Sequence, residues 1–103
     1  MDDTEFSKLS KQTLFNIVTI IEEIDKQCSI DIDFDSEIIN LDTKDGVFVI
    51  NKHSAAKEIW LASPISGPYH FSYNNGNWCS KYGIDLFEIL EQELNIKFNE
   101  RDI

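Results

Sequence analysis

The sequence predicts an α+β fold: a two-layer α-β sandwich with the N- and C-terminal helices packed on one face of an antiparallel sheet of about six strands. Three observations carry that expectation. Apolar residues recur at helical period at both ends of the chain, and strand-like runs fill the middle. The breaks between those runs are too short for the crossovers that parallel neighbours need.

The first element opens at Asp2, which with Glu5 three residues on reads as a capping box, so a helix is expected to start near Thr4. Over 5–25, Phe6, Leu9, Leu14, Ile17, Ile20, Ile21 and Ile24 fall on one broad face at about 100° per residue. Lys8, Lys11, Gln12, Thr19, Glu22 and Glu23 fall opposite. Residues 30–35 then alternate strictly between apolar and Asp, a pattern that only a strand uses well. Further strand-like runs cover 37–41, 47–52, 58–62, 69–73 and 78–81, with turn signals at 44–46, 53–57, 64–68 and 74–77. Asp85 opens a second helix, Glu88 completes its capping box, and Leu86, Phe87, Ile89, Leu90 and Leu94 form its apolar face. The tail over 96–103 is expected to return Phe98 to the body of the protein.

A length of 103 residues bounds the chain to a single domain, 1–103, and 42% hydrophobic with 12% aromatic residues is enough to build a core. Nineteen acids against nine Lys and Arg leave a net charge of −10, which repels phosphates and anionic lipid heads. No nucleic-acid or membrane partner is therefore expected, and the partners should be cationic. No apolar run is long enough to span a bilayer, and the start Met1-Asp2-Asp3-Thr4-Glu5 resembles neither a secretory signal nor a transit peptide, so a cytoplasmic location is expected. Cys28 and Cys79 are too few and too far apart for a disulfide scaffold or zinc knuckle and read as free thiols.

The charge is concentrated in the first third of the chain. There Glu22, Glu23 and Asp25 close the first helix, where the dipole prefers cations and each acid costs about 0.3 to 1 kcal/mol. Asp31, Asp33 and Asp35 point one way from the following strand, about 7 Å apart, and neighbours at that spacing repel by roughly 0.6 kcal/mol even in water. Acids placed against stability suggest a cation or a basic partner surface. An all-carboxylate set suits hard cations such as Ca²⁺, Mg²⁺, Mn²⁺ or Fe²⁺, and ligands spread along a surface would bind weakly. The Asp31-x-Asp33-x-Asp35 spacing also imitates an EF-hand loop, but Ser36 stands where that loop needs glycine, and Ile32 and Phe34 alternate as a strand.

Trp60 is the second candidate. If Ile59 and Leu61 face the helices, Trp60 turns outward with Glu58 and Ala62, a typical binding anchor on an open sheet. Trp78 reads as core. Catalysis finds little support: His53 and His70 read as unrelated surface histidines, the glycines form no phosphate loop, and so small a chain is expected to leave no substantial cleft.

Val49-Ile50-Asn51-Lys52, followed by Glu58-Ile59-Trp60-Leu61-Ala62-Ser63-Pro64-Ile65-Ser66-Gly67-Pro68, resembles the frataxin family, most closely its bacterial, CyaY-type branch. The likeness extends to Phe6-x-x-Leu9, Thr13-Leu14 and Glu22-Glu23 in the first helix, Trp78 in a late strand, and 86–94 in the last helix. Lys11 and Lys26 interrupt positions where relatives often carry acids, Ser36-Glu37 replaces a glycine-containing segment, and His53 stands where Gln is usual.

The resemblance implies a non-enzymatic, iron-binding regulator or iron chaperone of iron-sulfur cluster assembly, monomeric when dilute. Glu22, Glu23, Asp25, Asp31, Asp33 and Asp35 would form a ridge that holds iron (Fe²⁺ or Fe³⁺) weakly and meets a basic patch of the cysteine desulfurase. Asn51 and Trp60 would face the iron-sulfur scaffold protein. Two alternatives stand beside this reading: a metal-independent acidic adaptor or inhibitor of a basic protein, and a ferroxidase or iron-storage assembly.

Overall fold

In the structure, a computed structural model that describes residues 1–98, α1 (Asp3–Ile24) is followed by β1 (Asp31–Asp35), β2 (Ile38–Thr43), β3 (Gly46–His53), β4 (Glu58–Ser63), β5 (Gly67–Asn74) and β6 (Asn77–Cys79). The last element is α2 (Leu86–Leu94). Every strand pairs antiparallel with its sequence neighbour, giving the sheet order β1-β2-β3-β4-β5-β6. The two-layer α+β sandwich expected from the sequence is the architecture observed. Both helices begin as their capping signals require: Asp2 accepts the Glu5 amide at 2.8 Å, and Asp85 accepts that of Glu88 at 3.1 Å.

Turn chemistry sets the boundaries that the sequence left loose. β2 runs on to Thr43, whose hydroxyl donates to the Gly46 carbonyl at 2.9 Å and accepts from the Asp45 amide at 3.1 Å, closing a two-residue hairpin. Gly46 has φ +121°, and a Cβ there would lie 2.8 Å from Cβ of Pro64. Glu37, read as the start of a strand, belongs instead to a two-residue turn with Ser36. Both have positive φ, 51° and 66°, as a primed hairpin turn demands, although neither is a residue that favours it. β6 stops at Cys79 rather than at 81, because the Ser80 hydroxyl accepts from the amides of Tyr82 and Ile84 and folds the chain into a loop.

One face of the sheet is buried. Ile39, Leu41, Phe48, Ile50, Ile59, Leu61 and Phe71 pack against Leu14, Ile17 and Ile21 of α1 and Leu86 and Leu90 of α2. Trp78, 1% exposed, donates its indole N–H to the Thr13 hydroxyl at 3.0 Å, and Thr13 passes its own proton to the Leu9 carbonyl at 2.8 Å. The β4–β5 turn is tied to α2 by Glu93, which accepts from the hydroxyls of Ser63 and Ser66. Phe98 returns to the core as expected, 3% exposed and edge-on to Phe87 at 5.1 Å. The rest of the tail, 99–103, lies outside the described residues. Among the described residues, the opposite face of the sheet carries no layer of its own.

Candidate functional site

The acidic edge is built by β1. Ile32 and Phe34 register with Leu41 and Ile39 on the core side, so Asp31, Asp33 and Asp35 are all turned to the open face, and all three are exposed. Asp31 sits directly opposite Asp42 of β2, also exposed, a like-charge pair that a sheet does not favour. Glu22 and Glu23 are exposed in the last turn of α1, which holds no basic residue. The ion pairs among the described residues, Lys52–Glu37 and Lys57–Asp3, involve none of these acids. The concentration of unpaired negative charge is thus present, and Asp42 joins it.

Asp25 departs from the sequence reading. As the residue that caps α1, it accepts from the Ser29 amide at 3.0 Å, the Ser29 hydroxyl at 2.7 Å and the Ile30 amide at 2.8 Å. The Ser29 hydroxyl, then the Ile30 amide, hold its carboxyl below the usual carboxylate range. The penalty expected for an acid at a helix C-terminus is therefore offset at this position, and Asp25 folds the short connection that brings α1 and β1 together. Among the described residues, no three His, Cys, Asp or Glu side chains converge on a point that could hold a metal ion. The ridge offers hard oxygen donors without a closed cage, a set suited to loosely held, hydrated cations.

Trp60 faces the open side, since Ile59 and Leu61 are buried, and it registers with Asn51 on one neighbouring strand and His70 on the other. A continuous row therefore crosses the open face: Asp35, Ile38, Asn51, Trp60 and His70. With strands about 4.8 Å apart, the acidic edge and the indole are some 14 Å from each other on the same surface. Exposed Ile38 and Val47, together with Ala62, give the middle of this face an apolar character.

The two histidines are not unrelated, as their sequence positions suggested. His53 stacks on one face of Trp60 at 3.8 Å and 9°, and His70 on the other at 4.1 Å and 12°. The indole N–H is donated to Glu58 at 2.8 Å. The register would have revealed this, because His53 lies two residues after Asn51, and Asn51 and His70 both oppose Trp60. His53, His70 and Asp42 thus join the candidate site without having been singled out by period and composition, while Glu58, placed outward beside Trp60 by period two, takes the indole N–H.

The surface also carries hollows that so short a chain was not expected to form. One, of about 610 Å³, lies between the end of α1, the β2–β3 turn and the end of α2; another, of about 520 Å³, lies beside His70 and is rimmed by Lys81 and Tyr82. Both cysteines are free; burial, then the charges of Asp85 and Glu88, push the Cys79 thiol up. No helix among the described residues is long and apolar enough to cross a membrane.

An α-β sandwich with both helices on one face, an unpaired acidic edge and an open, aromatic sheet surface is an acidic protein built to present surfaces. The sequence matches the frataxin-like domain over residues 1–100, and the chain belongs to the frataxin-like family. Its fold is similar to that of frataxin from Psychromonas ingrahamii, studied within the CyaY protein family: TM-score 0.79 and 27% identity over 91% of this chain and 89% of that one. It is also similar to trimeric frataxin from the yeast Saccharomyces cerevisiae in its ferrous complex, with TM-score 0.69 and 31% identity over 92% of this chain and 84% of that one. A further yeast frataxin structure gives TM-score 0.75 and 31% identity over 89% and 79% of the two chains.

Proposed function

We propose that this protein is a non-enzymatic, cytoplasmic iron-binding regulator or iron chaperone of iron-sulfur cluster assembly. Membership of the frataxin-like family supports a general role in iron handling and cluster assembly. The observation that carries the finer reading is the unpaired, same-facing set Asp31, Asp33 and Asp35 on the open sheet face that also presents Asn51 and Trp60, with Glu22 and Glu23 exposed at the end of α1. The ridge steers the protein to a basic patch of the cysteine desulfurase, and the row through Asn51 and Trp60 meets the scaffold protein. Iron is cargo here, held weakly by Glu22, Glu23, Asp31, Asp33 and Asp35, with Asp25 at the margin of the set because its oxygens already serve the loop. Bound iron would partly neutralise the ridge and so link metal level to complex formation.

The test is sulfide production by the desulfurase, with and without this protein, across a range of Fe²⁺ concentrations. An iron-dependent change in rate supports the reading; no change at any iron level overturns it. Reversing charge at Glu22 and Glu23 should weaken desulfurase binding severalfold at low salt and less at high salt. Fe²⁺ should also move the amide resonances of Asp31 to Asp35; unmoved resonances would leave the metal-independent adaptor. The trimeric, ferrous yeast relative is the one observation that favours an iron-storage assembly. Light scattering with excess iron separates the two, since a regulator that is monomeric when dilute keeps its mass.

A further inference from the structure

The hollow of about 520 Å³ beside β5 falls in the size range of small-molecule pockets. Pro68, His70, Ser72 and Asn74 line it from β5, and Ser80, Lys81 and Tyr82 from the loop after β6. Run one residue past Ile59↔Phe71, the β4–β5 register puts Glu58 beside Ser72, and Ser72 in turn faces Cys79 of β6. Glu58 and the loop therefore stand about 10 Å apart, two strand spacings, across the floor of the hollow.

The loop side is rich in donors. Ser80 Oγ accepts from the amides of Tyr82 and Ile84, and Ser72 Oγ accepts from the Asn74 amide nitrogen at 3.3 Å, so neither hydroxyl proton has an acceptor among the described residues. Lys81 makes no ion pair among them, and its ammonium lies 5.1 Å over the ring of Tyr82, which is 79% exposed. Glu58 is the acceptor on the far side: one of its oxygens takes the Trp60 indole N–H, and the other is left over. A flat wall joins the two sides, because Trp60 covers one face of the His70 ring and that exposed residue also lines the hollow.

We propose that this hollow binds a small hydroxyaryl carboxylate. Its carboxylate meets Lys81 and the Ser80 hydroxyl, its ring lies between His70 and Tyr82, and its hydroxyl donates to Glu58 while accepting from Ser72. One ammonium matches one negative charge, and Glu58 across the floor repels a second, so a monoanion is favoured over phosphate. An anion site on a chain of net charge −10 has to be made locally, since the field of the whole protein draws cations instead.

The test is titration of the full chain with 4-hydroxybenzoate, followed by amide resonances and calorimetry, and none of its outcomes depends on iron or on a partner protein. Saturable shifts are expected at Ser72, Ser80, Lys81 and Tyr82, and none at Asp31, Asp33 or Asp35. 4-Hydroxybenzylamine keeps the ring and hydroxyl but reverses the charge, and it should bind the hollow at least about tenfold more weakly. Lys81→Gln, at an exposed position outside the core, should weaken 4-hydroxybenzoate by about the same factor, and Ser72→Ala severalfold. No saturable shift at the four lining residues overturns the site. The amine binding there as tightly as the acid, or Lys81→Gln leaving affinity unchanged, overturns its anion chemistry. Inorganic phosphate matching 4-hydroxybenzoate in affinity and in the resonances it moves overturns the part assigned to the ring.

Discussion

Replacing Asp42 by Asn sets the stability of the acidic edge against its charge. Asp31 and Asp42 oppose each other across the β1–β2 register. Directly opposed side chains on a sheet lie about 5 Å apart, where two unit charges in water repel by about 0.8 kcal/mol. Asp33, diagonal to Asp42 at about 7 Å, adds roughly 0.6 kcal/mol. Asp42 lies eleven residues from Asp31 and nine from Asp33, so a flexible chain holds them on average about 17–19 Å apart and most of this repulsion belongs to the folded state. With screening lengths of about 30 Å at 0.01 M salt and 8 Å at 0.15 M, the combined cost is about 1.2 kcal/mol at the lower ionic strength and about 0.7 kcal/mol at the higher. Asp42→Asn should therefore stabilise the protein by about those amounts in urea unfolding, with an unchanged denaturant slope. The same substitution should weaken binding to the desulfurase at low salt. A variant no more stable than the wild type at 0.01 M, or a gain that salt does not reduce, would refute the reasoning that the edge is held against its own repulsion.

Trp60→Ala should weaken scaffold binding by at least about 2 kcal/mol, or some 30-fold by calorimetry. Its urea midpoint should fall by less than that of a core truncation, because the indole lies outside the core and only its two ring stacks and the Glu58 hydrogen bond are lost. Thr13→Val strands the buried Trp78 N–H and should cost about 1–3 kcal/mol, read as a fall in Tm of roughly 5 °C per kcal/mol. Asp25→Asn should destabilise the protein at neutral pH. Since the folded state holds the Asp25 carboxyl below its ordinary value, that stabilisation is present above about pH 4 and is lost as pH falls through the folded value, so wild type and variant should converge in acid urea titrations.

The fold was legible where a residue's neighbours in sequence decide its fate. The alternation over 30–35, the two capping signals and the short turns are local, and each produced the element it announced. What the sequence concealed depends on register. Glu37 looked like a strand residue until the two-residue turn claimed it, and Asp42 joined the ridge only through its pairing with Asp31. His53 and His70, far apart in sequence, share Trp60 only because β3, β4 and β5 are adjacent and aligned. Asp25 shows a different limit. A carboxylate at a helix C-terminus is disfavoured by the dipole, but nothing in the local pattern announces that Ser29 and Ile30 turn back to meet it.

Register also explains how one face can carry both a field and an anchor. A slip of one residue between β1 and β2 would turn Asp31, Asp33 and Asp35 into the core and Ile32 and Phe34 out, so the ridge and the buried layer are fixed by the same choice. That choice puts a long-range element and a short-range element on one surface. On the proposed reading, the unpaired carboxylates, which act over a screening length, would govern how often a basic partner arrives, whereas Trp60 and its flanking imidazoles, which act only on contact, would govern how long a complex lasts. Added salt should therefore slow association with little effect on dissociation, and truncating Trp60 should do the reverse. Rates that respond to both changes in the same step would mean that the acidic edge and the stacked rings are not separable devices.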